Sequence, residues 1–127
     1  MTYLEHVNIT VSDPDLSAQQ LVDLLGWKIR WSGAAMNDGY SVHVGSDTHY
    51  IALYTNTSLG TKCGDANHAG HMNHVGVVVK DLNKICSRAK ELDLEPFNFG
   101  RYEADEGKRF YLKILDDLEI EVTSYQE

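Results

Sequence analysis

Cysteine, positive charge and long apolar runs are all scarce in this chain of 127 residues, and each scarcity excludes a class of protein. There are two cysteines, too few to staple a small secreted scaffold. Cys63 falls in a Gly-containing stretch and Cys86 inside an expected helix, so both are read as free thiols of a reducing cytoplasm. No apolar run reaches the roughly 18 residues of a membrane span, and no charged-then-apolar leader precedes the first strand pattern. A soluble, cytoplasmic, unprocessed protein is therefore expected. Lys plus Arg number 11 against 19 Asp plus Glu, a formal charge of −8, and the positive residues never form a stripe. That excludes nucleic acid and anionic membranes as natural partners.

What the chain does have is a repeated plan. "LEHVNITV" begins at residue 4 and "MNHVGVVV" at residue 72, and each sets a lone His ahead of an alternating apolar run. Val7, Ile9 and Val11 correspond to Val75, Val77 and Val79. An acidic turn follows each run, "SDPD" in the first copy and "KD" in the second, and each opens a helical pattern. Leu16, Leu21, Leu24 and Leu25 mark the first helix, which Gly26 ends. Leu82, Ile85, Ala89 and Leu92 mark the second, which Pro96 prevents from continuing. Short alternating runs complete each copy: "WKIRW", "YSVHV" and "HYIALY", then "PFNFG", "FYLKIL" and "LEIEVTSY". "GSDT" and "DDLE" supply hairpin turns. The expected fold is α+β: a βαβββ module at 1–56, a polar linker at 57–71 and a second module at 72–127.

Strand alternation decides which side chains share a face. With the valines and Ile9 turned to a helix, His6, Asn8 and Thr10 point to the opposite side, and so does His74 in the second copy. In the last strand Ile120 and Val122 face the helix, leaving Glu119, Glu121 and Thr123 on the other side. One His beside an apolar strand is ordinarily structural. Two at equivalent places of a repeat, with a carboxylate on the matching face, form a donor set suited to Fe(II), Mn(II), Co(II), Ni(II) or Zn(II). His43 alternates with Val42 and Val44 and is a candidate substrate contact, as is Asn8. Tyr50 and Tyr54 share the face of Ala52 and offer an aromatic wall. "NHAGHMNH" holds a rival set, His68, His71 and His74, which needs a helix that Gly70 disfavours.

"LEHVNITV", "NHVGVVVKDL" and "FYLKILDDLEIEV" together resemble the vicinal oxygen chelate superfamily, which includes glyoxalase I, extradiol dioxygenases and the fosfomycin- and bleomycin-resistance proteins. The likeness spans nearly the whole chain. It implies tandem βαβββ modules whose curved mixed sheets form a cup around one divalent metal, with the helices on the outer face. Carried over by position, the metal ligands are His6, His74 and Glu121, and Tyr111, ten positions before Glu121, matches an aromatic residue beside the metal-binding Glu. Where glyoxalase I places a fourth ligand this chain has Ala52, so the set is two His and one carboxylate. That favours an extradiol-like dioxygenase with Fe(II) or Mn(II), in which His49 would act as acid and base. The alternatives are a glyoxalase-like lyase or isomerase using Ni(II), Co(II) or Zn(II), and a metal-free binder of the bleomycin-resistance type. A small-molecule substrate and a homodimer, with sites that can be shared between chains, are also implied. The basic residues of "GRYEADEGKRF", Arg101, Lys108 and Arg109, offer contacts for an anion.

Overall fold

The computed structural model describes residues 2–59, 69–101 and 107–125. Of the linker expected at 57–71, residues 60–68 lie outside the described residues, and with them Cys63 and His68. Two compact units divide the chain, Met1–Thr61 and Lys62–Glu127. The first contains β1 (His6–Thr10), α1 (Pro14–Leu25), β2 (Lys28–Ala35), β3 (Gly39–Gly45) and β4 (Tyr50–Thr55). The second contains β5 (Val75–Val78), α2 (Leu82–Glu91), β6 (Phe97–Arg101), β7 (Lys108–Ile114), a 3-10 turn (Leu115–Asp117) and β8 (Leu118–Ser124). Both are βαβββ modules, as the repeated pattern predicts. No helix among the described residues is long and apolar enough to cross a membrane.

Each unit forms one four-stranded mixed sheet, in the order β1-β4-β3-β2 and β5-β8-β7-β6. The first strand of each module pairs in parallel with the last, His6 opposite Tyr50 and Gly76 opposite Glu121; the other pairs are antiparallel. A parallel partner cannot be reached by a hairpin, and the helix of each module supplies the crossover.

Local chemistry sets the helix ends. Asp13 caps α1 by accepting from the Leu16 N–H at 3.1 Å, and Pro14 occupies the first turn where its missing N–H costs nothing. Gly26, at φ 74, closes the helix by donating to the Val22 carbonyl. Asp81 caps α2 in the same way, through the Lys84 N–H. The helix stops at Glu91 with Leu92, the last residue of the expected stripe, as its C-cap, ahead of Pro96. Asp93 adopts φ 60, and bonds from Asp93 N–H to Lys90 O and from Leu94 N–H to Ala89 O close a Schellman turn.

In the first unit, α1 buries Ala18, Leu21 and Leu24 on the face of Val42, Val44, Ile51 and Leu53. Leu16 belongs to no part of this core and is 48% exposed. In the second, Ile85 and Ala89 of α2 are buried, as are Phe110, Leu112, Ile114, Ile120 and Val122. Alternation along β7 and β8 then turns Arg109, Tyr111, Glu121 and Thr123 to the opposite face, where they pair across the strands as Arg109 with Thr123 and Tyr111 with Glu121.

Candidate functional site

Glu121 is the centre of the polar face of the second unit. Tyr111 Oη donates to its Oε1 at 2.5 Å, and His74 Nε2 stands 3.7 Å from the same oxygen. Its other oxygen, Oε2, receives Arg109 Nη1 at 3.4 Å and Thr123 Oγ1 at 3.3 Å. The carboxylate is thus held at both ends by side chains that its own strand and β7 place there. Two ligands bonded at about 2.0–2.2 Å to one ion are separated by at most about 4.4 Å, so His74 Nε2 and Glu121 Oε1 lie within the span of a common metal. Gly76 faces Glu121 across the parallel pair, and a Cβ there would come to 3.6 Å from Oε2.

Arg109 is 5% exposed, which its appearance among the basic residues of a polar segment did not foretell. Its guanidinium spans from Glu121 to the Gly107 carbonyl, the latter at 3.4 Å from Nη2. Gly107 makes the seat possible: a Cβ there would lie 3.0 Å from Nη2 and 2.7 Å from the Tyr125 ring. A sequence signal existed in the Gly two places before Arg and in the alternation that sets Arg109 opposite to Phe110, but neither gave the burial of the guanidinium.

The first unit presents His6 on a row of rings. Glu5 Oε1 accepts from His6 Nδ1 at 2.8 Å. The His6 ring stacks on Tyr50 at 4.8 Å between centroids, Tyr50 stacks on His43 at 4.7 Å, and His43 meets Trp31 at 5.0 Å. One ring from each of the four strands therefore contributes. Arg30 lies over Tyr50, 4.3 Å from the ring centroid. Arg30 and Trp31 are consecutive, yet both serve this face because β2 carries a bulge between Ile29 and Trp31; the extra residue breaks the alternation. Burial, reinforced by the charges of His6 and Arg30, holds the His43 pKa below the ordinary imidazole value. The hydrogen bond from His6 holds that of Glu5 below the usual carboxylate value.

Of the remaining expected site residues, Asn8 is exposed on β1 opposite Ala52. Tyr54 is committed to the fold: its hydroxyl donates to the Met36 carbonyl at 2.8 Å and accepts from Asn56 at 3.0 Å, and its ring covers Gly39. His49 sits in the β3–β4 turn, hydrogen-bonded through Nδ1 to Ser46 Oγ at 3.0 Å and edge-on to Trp27. It is His43, rather than His49, that shares the face of His6. Residues 71–74 form no helix, so His71 and His74 do not share a helical metal-binding face. Cys86 is a free thiol on α2.

Within neither unit do three described His, Cys, Asp or Glu side chains gather to hold a metal. The expected ligands divide between the units, with His6 in the first and the His74–Glu121 pair in the second. The donor chemistry of that pair, one imidazole nitrogen and one carboxylate oxygen, suits a divalent ion.

Similar architectures occur among solved structures. A glyoxylase/bleomycin resistance protein/dioxygenase domain from Frankia sp. EAN1pec shares 19% identity over 98% of each chain, with a TM-score of 0.81. The glyoxalase family protein from Enterococcus faecalis shares 10% identity over 97% of this chain and 96% of its own, TM-score 0.75. The fosfomycin resistance protein FosX from Listeria monocytogenes, complexed with Mn(II) and sulfate, shares 16% identity over 98% of this chain and 93% of its own, TM-score 0.70. These similarities establish the fold. No curated protein matches by sequence. The family profile described as Glyoxalase/Bleomycin resistance protein/Dioxygenase superfamily does match, over residues 3–117, nearly the whole length of both modules, and the chain belongs to that superfamily.

Proposed function

We propose that this protein is a divalent-metal-dependent enzyme that holds one ion per site through His6, His74 and Glu121. Its substrate is a small molecule that chelates through two neighbouring oxygens, and its activity is oxygen-dependent cleavage of the extradiol type, with Fe(II) or Mn(II). The observation that carries this reading is the His74–Glu121 pair, 3.7 Å apart, with Tyr111 hydrogen-bonded to the same carboxylate oxygen. Mn(II) in the structurally similar FosX is in keeping with it. The protein works as a homodimer whose modules pair within one chain or between two.

When bound, the ion supplies Lewis acidity to the chelating oxygens. Glu121 provides the one negative charge among the three ligands, and Tyr111, Thr123 and Arg109 fix its plane. His43 takes the acid–base part: its depressed pKa keeps the imidazole neutral near pH 7, so a ring nitrogen accepts a substrate hydroxyl proton and later returns it. The Trp31 and Tyr50 rings give a planar substrate a surface to stack on and displace water from it. Ala52, buried and apolar opposite His43, offers no fourth ligand, which weighs against the lyase alternative.

The test is metal analysis of gently purified protein, followed by oxygen uptake with Fe(II) and a catechol panel. Near-stoichiometric metal that is lost in H6A, H74A and E121A, with catechol-dependent oxygen consumption, is the expected result. Metal without oxygen uptake eliminates the dioxygenase activity. Less than about a tenth of an equivalent of metal, with no thermal shift on adding divalent ions, favours the metal-free binder.

A further inference from the structure

The two candidate imidazoles share a feature beyond their place in the repeat. In each, Nδ1 is tied to the side chain immediately before it in sequence: His6 Nδ1 to Glu5 Oε1 at 2.8 Å, and His74 Nδ1 to Asn73 Oδ1 at 2.8 Å. An ionised carboxylate has no proton to give. At His6 the shared proton therefore resides on Nδ1, and Nε2 carries the lone pair. At His74 the Asn73 oxygen imposes the same tautomer, and Nε2, which then carries the lone pair, lies 3.7 Å from Glu121 Oε1.

Glu5 is itself anchored. The Tyr50 N–H donates to its backbone carbonyl at 3.1 Å, and Tyr50 Oη to its Oε1 at 3.4 Å. The carboxylate that orients His6 is thus fixed by the strand partner of His6. In a neutral imidazole only the unprotonated nitrogen can bind a metal, and the hydrogen bond at the other nitrogen decides which one that is.

We propose that Glu5 and Asn73 are positioning residues that fix His6 and His74 in the Nδ1–H tautomer and so present both Nε2 atoms as metal donors. The proposal rests on the metal-binding role given to these histidines above, but its first consequence exists without any metal. It also distinguishes the two modules. His6 is backed by the carboxylate of Glu5 and His74 by the neutral amide of Asn73.

The experiment is side-chain 15N NMR of the full chain without metal, at about pH 8, above the ordinary imidazole pKa of about 6.5. His6 and His74, assigned with H6Q and H74Q, are expected to show a protonated Nδ1 and a bare Nε2. E5A should release His6 toward a mixture containing the Nε2–H form, and N73A should do the same for His74, each leaving the other histidine unchanged. Asn73→Asp, whose side chain can only accept, should retain the wild-type pattern. Titration with Mn(II) or Co(II) then follows: E5A and N73A should each weaken binding about 10-fold or more, as loss of an orienting partner does, while N73D stays within a few-fold of wild type.

The idea is overturned if the wild-type histidines carry their protons on Nε2, or if E5A and N73A leave the tautomers and the affinity unchanged. If wild type binds no metal while the tautomers behave as described, the enzyme reading fails and the tautomer-setting role of Glu5 and Asn73 stands. A loss of thermal stability without a tautomer change would mark a merely structural contact and would count against it.

Discussion

Replacing Tyr111 by Phe removes one oxygen and little else. The hydroxyl donates to Glu121 Oε1 at 2.5 Å, in a place where Tyr111 is 7% exposed and the Glu121 side chain 14% exposed. Hydrogen bonds to a charged group contribute about 1.5–3 kcal/mol. Arg109 and Thr123 still donate to the carboxylate at 3.4 and 3.3 Å, so it is not abandoned, and the loss should fall at the lower end, about 1.5–2 kcal/mol. Phe preserves the contacts of the ring with Phe97 and His74, so no cavity term is added. With a urea slope of about 1.5–2 kcal/mol/M, the unfolding midpoint should drop by about 1 M with the slope unchanged. A drop below about 0.3 M would mean that the hydroxyl is as well satisfied by water and that the grip on Glu121 is not energetic. A drop well above about 2 M would mean that Arg109 and Thr123 do not support the charge.

Three further outcomes follow from other parts of the molecule. His43 titrates below its ordinary value in the folded protein, so the unfolded chain binds more protons and stability must fall as pH drops below about 6.5; H43Q should flatten the dependence of the urea midpoint between about pH 7 and 5. Asp13→Ala removes the cap of α1 and should cost about 1 kcal/mol, read from thermal or urea unfolding, with no comparable loss in D13N. Gly45→Ala would set a Cβ 2.3 Å from the His49 carbonyl oxygen and 2.6 Å from Tyr50 Cα, a backbone collision expected to cost about 1–3 kcal/mol, and unaltered stability would show that the β3–β4 pairing adjusts more readily than this spacing implies.

Much of this fold is legible in the sequence because its signals are local. The repeated strand pattern, the Asp13 and Asp81 caps and the "GSDT" turn each depend on a few adjacent residues, and alternation alone assigns Glu121 and His74 to the face away from the helices. Where position depends on longer-range effects, the pattern gives no sign. A period of two cannot register the bulge that brings Arg30 beside Trp31. Pro96 is a visible stop, but Asp93 in a left-handed conformation ends α2 first. Leu16 has the composition of a core residue and the position of a surface one. His49 lies next to a strand whose rings face a candidate ligand, yet its turn directs it to Ser46 and Trp27. The burial of Arg109 depends on the space left by Gly107, which only tertiary packing reveals.

The extra residue in β2 bears on how the chain can vary. Ile29 pairs with Val44 and Trp31 with His43, consecutive positions on β3, so Arg30 is counted by the backbone but not by the register. Deleting that single codon would let the two strands zip regularly while every other pair keeps its partner. Lineages could therefore gain or discard a cation above Tyr50 by a one-residue indel, without refolding anything around it.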